Sequence, residues 1–88
     1  MYQLTAAHPS LPLGTWVKVT NLKNHKWGLV RVNDRGPYEG DRIIDLSYSA
    51  ARMLGFHAKG IQRVRLDLMP GTEPGETMTM AMVGNGAF

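Results

Sequence analysis

Eighty-eight residues, 43% of them hydrophobic, supply one small core and no material for a second domain. No apolar run approaches the roughly 20 residues of a membrane-spanning helix, and the absence of cysteine excludes a disulfide framework while leaving the redox compartment open. The net charge of +3 understates an asymmetry: the first 69 residues carry ten Lys and Arg against five acids, a balance that suits an anionic polymer as partner as readily as it suits plain solubility.

Met1 to Pro12 lacks the basic and long apolar regions of a signal peptide. Leu4-Thr5-Ala6-Ala7 reads as a short strand, and the prolines of His8-Pro9-Ser10-Leu11-Pro12 enforce an extended connector, so His8 falls at a strand-to-loop junction. A histidine in such a place serves either as a hydrogen-bonded structural residue or as part of a site. After a turn at Leu13-Gly14-Thr15, Trp16 to Leu22 alternates, with Val17 and Val19 on one face and Lys18 and Thr20 on the other. Asn21 to Lys26 is a polar hairpin loop, and Trp27 to Asn33 returns as the partner strand.

Val30 and Val32 share the inward face of that strand, so an unbroken two-residue period carries Asp34 to the same inward face. Two accounts of Asp34 compete. In one, Asp34-Arg35-Gly36-Pro37 is turn chemistry, with the carboxylate accepting from nearby amides. In the other, partial burial raises its pKa for proton exchange near neutral pH, and Arg35 or Arg42 holds an anionic or polyhydroxylated ligand.

Pro37 to Asp41 is a polar loop, and Arg42-Ile43-Ile44-Asp45-Leu46 reads as a short, mostly buried strand. Ser47 offers an N-cap to a helix of about two turns whose stripe is Ala50, Met53 and Leu54 and whose stop is Gly55. Asp45, two residues before the cap, either bonds amides near the helix start or belongs to a site. Ile61 to Met69 alternates, with Val64, Leu66 and Leu68 inward and Arg63, Arg65 and Asp67 outward. Pro70 to Gly75 reads as a linker, and Thr77 to Val83 as a disordered tail or an added edge strand, which puts a domain over residues 1–69 and a tail over 70–88. Four or five short strands, one brief helix and tight turns predict a small β-barrel with an inserted helix.

Leu4-Thr5-Ala6-Ala7-His8, Leu11-Pro12-Leu13-Gly14-Thr15, Val17 to Leu22, Val30 to Pro37 and Arg42 to Ser47, in that order, resemble the rare lipoprotein A family. The resemblance covers Leu4 to about Leu68 and implies a six-stranded double-psi β-barrel related to expansins. It also implies a bacterial cell-envelope or periplasmic location and lytic transglycosylase activity on peptidoglycan glycan strands stripped of peptides, with no metal and no cofactor. Carried onto this chain, it makes Asp34 the acid/base-type carboxylate, puts His8 in the same groove, and matches Asp45 to the aspartate of the expansin Asp-Leu-Ser motif. Arg35, Tyr38, Arg42 and Trp16 are then candidates for holding the sugar strand.

The resemblance implies a strand and a glutamate, the family's principal acid, ahead of the Leu-Thr-Ala-Ala-His motif, and neither stands in this sequence. Two expectations follow: Thr77 to Val83 folds back as a surrogate strand, or two chains pair as a homodimer through an open barrel edge. For function, a glycan-cleaving domain stands beside a non-catalytic, expansin-like polysaccharide-binding module in which Trp16, Trp27 or Tyr38 stack on sugars. A nucleic-acid-binding barrel is the third reading, and no nucleic acid is expected because basic and aromatic residues do not interleave along one strand.

Overall fold

The computed structural model describes residues 4–56 and 61–69 in full and 78–84 as backbone. Six strands and one helix follow in order: β1 (Thr5–Ala7), β2 (Trp16–Asn21), β3 (Trp27–Asp34), β4 (Arg42–Leu46), α1 (Tyr48–Met53), β5 (Ile61–Met69) and β6 (Met78–Gly84). The strands close into a barrel in the order β1-β3-β2-β5-β6-β4. Two pairings are parallel, β1 with β3 and β4 with β6, and the rest are antiparallel. This is the double-psi β-barrel that the motifs predict.

The alternation of the sequence supplies the interior. Val17 and Val19, Val30 and Val32, Ile44 and Leu46, and Val64 and Leu66 are all essentially inaccessible and form one cluster. Each such side chain contributes about 1.5–3 kcal/mol relative to exposure, so a domain this small depends on nearly every one. The helix begins as predicted: the Ser47 hydroxyl accepts from the Ala50 N–H at 3.2 Å, and Gly55 ends the turn at φ +80°. A Cβ at Gly55 would collide with the Asn24 amide, so both the backbone angle and the space require glycine there.

Three local expectations are corrected. Met53 is exposed and Ala51 is buried in its stead. The buried stripe of Ala50, Ala51 and Leu54 is centred between the first two, which turns Met53 about 110° away from it at 100° per residue. Asp34 is exposed rather than inward, because the register of β3 against β1 slips between Ala6 and Ala7 and the two-residue period breaks before the strand ends. Met78–Gly84 is neither a free tail nor an edge strand: it pairs with β5 on one side and β4 on the other. Its alternating Thr and Met residues suit a strand, and two open flanks were there to receive it. The expectation that Thr77 to Val83 folds back as a surrogate strand is met instead by Met78–Gly84, which closes the barrel. The linker expected over Pro70–Gly75 lies outside the described residues.

Candidate functional site

Ala7 organises the candidate site. Its Cα partner on β3 is Asp34, and its Cα partner on β4 is Asp45. Residues directly opposite one another share a face, and since Ala6, Ile44 and Leu46 point inward, the row Asp34, Ala7, Asp45 lies on the outer surface. Two strand spacings separate the aspartates, about 9–10 Å between Cα atoms. Alanine between them keeps the row shallow. The parallel pairing of β1 with β3 creates this juxtaposition, and no local pattern in the sequence announces it.

The two carboxylates differ in environment. Asp34 is exposed, and its Oδ1 accepts from the Arg35 N–H at 2.8 Å. The turn account of this residue is thus realised in its geometry. Asp45 is partly shielded, with 31% of its side chain accessible, and its Oδ1 receives Arg42 Nη1 at 3.3 Å. Burial raises the pKa of Asp45 and the Arg42 guanidinium lowers it; burial is the larger effect, so the carboxyl stands above its ordinary range. Its partner is thus a nearby arginine and not the amides of the helix start, which Ser47 serves instead.

His8 follows Ala7 and turns inward, 8% exposed. Its Nδ1 accepts from the N–H groups of Ser10 at 3.1 Å and Leu11 at 3.1 Å, which assigns the ring proton to Nε2. Burial and then the charge of Arg35 lower its pKa, so the imidazole is neutral at pH 7. The His8 N–H donates to the Asp34 carbonyl at 3.0 Å. Arg35 Nη1 donates to the carbonyls of Leu11 at 2.6 Å and His8 at 3.4 Å. Arg35 therefore clamps the His8 loop onto the end of β3, a positioning contact that the sequence did not distinguish from a ligand contact.

Among the sequence candidates, Asp34, Asp45, His8, Arg35 and Arg42 gather around Ala7. Tyr38 stands apart in the loop after Pro37, 74% exposed, and Trp16 lies on a different outward row, opposite Arg31 of β3 and Met69 of β5. Asn21, which no motif singled out, is fully buried: its Nδ2 donates to the Leu54 carbonyl at 2.9 Å and its Oδ1 accepts from Lys23 N–H at 2.9 Å. Asparagine at the end of an alternating strand and the start of a hairpin was the available sign. Among the described residues, no three His, Asp or Glu side chains gather as metal ligands.

Comparison with known proteins agrees with this architecture. A family model described as "Lytic transglycolase" matches residues 1–66. The "Probable endolytic peptidoglycan transglycosylase RlpA" of Synechocystis sp. is 58% identical over 66 residues, 75% of this chain and 21% of that protein. The "Endolytic peptidoglycan transglycosylase RlpA" of Pseudomonas aeruginosa is 54% identical over 67 residues, 76% of this chain and 20% of that protein. The protein of the same name from Vibrio cholerae is 50% identical over 74 residues, 84% of this chain and 28% of that protein. The chain thus spans between a fifth and a little over a quarter of the length of these relatives.

Proposed function

The chain belongs to the lytic transglycolase family, and from that premise we propose that it cuts peptidoglycan glycan strands across the outward row of Asp34, Ala7 and Asp45. The observation that carries the proposal is the double register of Ala7, which holds two unlike carboxyl groups on one accessible face. A glycosidic bond is opened by an acid that is protonated when it acts and by a second group that is not. Asp45 suits the first role, because burial raises its pKa. Asp34 lies on the same face, exposed and within reach of a strand that touches Asp45.

In this mechanism the Asp45 carboxyl gives its proton to the glycosidic oxygen as the bond from the anomeric carbon to that oxygen breaks. The muramyl 6-hydroxyl oxygen closes on the same carbon, its proton passes to the Asp34 carboxylate, and a 1,6-anhydro end is left without consumption of water. Proton exchange with solvent resets both groups. Neutral His8, held by two amides, and Arg35 fix the loop beside the row. Such a substrate places the domain in the cell envelope, on the periplasmic side; no helix among the described residues is long and apolar enough to cross a membrane.

A non-catalytic polysaccharide-binding module is the second reading, favoured by the exposure of Asp34 and its bond to its own loop. Incubation of the full chain with peptide-free glycan strands, followed by mass spectrometry, separates the two. Anhydromuramyl ends that vanish in Asp45→Asn support cleavage. Retention of the strands without product selects the module, and equal product from Asp45→Asn and Asp34→Asn removes the site assignment.

A further inference from the structure

We infer that the outer face of β2 and β3 is a second binding surface, which seats an acidic polysaccharide strand by stacking sugar rings on Trp16 and Trp27 and pairing free carboxylates with Lys18 and Arg31. The source of such a strand rests on the function proposed above; the surface itself rests on separate residues.

Trp16 and Trp27 are 48% and 58% exposed, a large apolar area to leave in water on so small a domain. Their side chains lie on the same outer face of adjacent strands. Trp16 is opposite Arg31, Lys18 opposite Leu29, and Thr20 opposite Trp27, which sets the two indoles about 14 Å apart along the strand direction at 3.4 Å per residue. Aromatic and cationic residues thus interleave across the pair of strands, although neither strand shows the pattern alone. The Lys18 ammonium lies 4.6 Å from the centroid of the Trp27 ring and restrains the indole before anything binds.

Charge complementarity selects the occupant. The acid on the neighbouring strand, Asp67, is opposite Lys18 in register but bonds Arg65 at 3.4 Å, and among the described residues no carboxylate forms an ion pair with Lys18 or Arg31. An uncharged glycan would leave Arg31 without a counter-charge and Lys18 with the Trp27 ring alone. A nucleic acid, with a phosphate at every residue, would have to run on past Asp34 and Asp45, because Arg31 is opposite Thr5 and Ala7 follows two residues later on the same face of β1. A strand of sugar rings with a free carboxylate only on alternate sugars meets the cations at one end and the aspartate row at the other.

Binding is read on the full chain by tryptophan fluorescence and co-sedimentation. Peptide-free glycan strands with free lactyl carboxylates are compared with the same strands after carbodiimide amidation, in an Asp45→Asn background so that nothing is consumed. Trp27→Ala is expected to weaken binding about tenfold, the loss of one stacked ring with its cation. Arg31→Gln is expected to weaken binding of the free-carboxylate strands and leave the amidated strands unaffected. Equal binding of both strand types by the parent, parent-like binding by both variants, or tighter salt-steep binding of single-stranded DNA overturns the inference. Circular dichroism melting confirms that each variant is folded. Binding that depends on Trp27 and Arg31 without product from the active chain would sink the proposed cleavage and leave this surface standing; product formation with binding indifferent to both residues would do the reverse.

Discussion

Asp34 and Asp45 are both aspartates, both outward, and both one strand from Ala7, yet the barrel treats them differently. Asp34 ends a strand after a register slip and spends one oxygen on the next amide of its own turn. Asp45 sits within a strand, two residues before a helix cap, shielded enough that burial outweighs an arginine 3.3 Å away. Position in the sheet, and not residue type, separates their surroundings. The carboxyl group flanked by paired strands keeps its proton longer than a fully solvated one would.

The largest expected effect tests that division directly. Asp45→Asn should lower turnover on peptide-free strands by about 10²–10⁴, the range for loss of a general acid, while strands still bind. Asp34→Asn should cost about tenfold, because solvent can replace an exposed proton acceptor. A larger loss at Asp34 than at Asp45 would reverse the assignment. Arg42→Gln sharpens the comparison: removing the positive charge that holds the Asp45 pKa down lets it rise further, so the alkaline limb of the pH–rate profile should move to higher pH. An unmoved or falling limb would show that Arg42 does not act on the acid.

Two smaller effects concern the support of the row. Arg35→Ala removes the donor to the Leu11 and His8 carbonyls and should cost about 1 kcal/mol in chemical denaturation. His8 has a folded pKa below its ordinary value of 6.5, so the unfolded chain takes up the proton first. Its contribution is fully present above that value and is lost as pH falls through it toward the folded pKa. The melting temperature should decline over that interval. His8→Asn, whose Oδ1 can stand in for Nδ1 as acceptor, should flatten the decline.

Much of this was legible in the chain. The inward valines of β2 and β3, the hairpin between them, the Ser47 cap and the alternation of β5 all follow from period and turn chemistry, which act within a few residues. Pairing between distant strands was not legible. The fate of Asp34 depends on a slip against β1, the site depends on Ala7 meeting both β3 and β4, and the Trp–Lys contact depends on a cross-strand register. Asn21 was hidden for a similar reason: its partner, Leu54, comes from a helix that follows two further strands. Motif resemblance placed Asp34, Asp45 and His8 in one neighbourhood, but it could not say which carboxyl is shielded.

The order of the strands around the barrel carries one more consequence. β6 is wedged between β4 and β5, both made earlier, so during synthesis the cylinder stays an open sheet until residue 84 has cleared the ribosome. A chain truncated near residue 77 would leave the flanks of β4 and β5 unsatisfied and prone to pair with another chain.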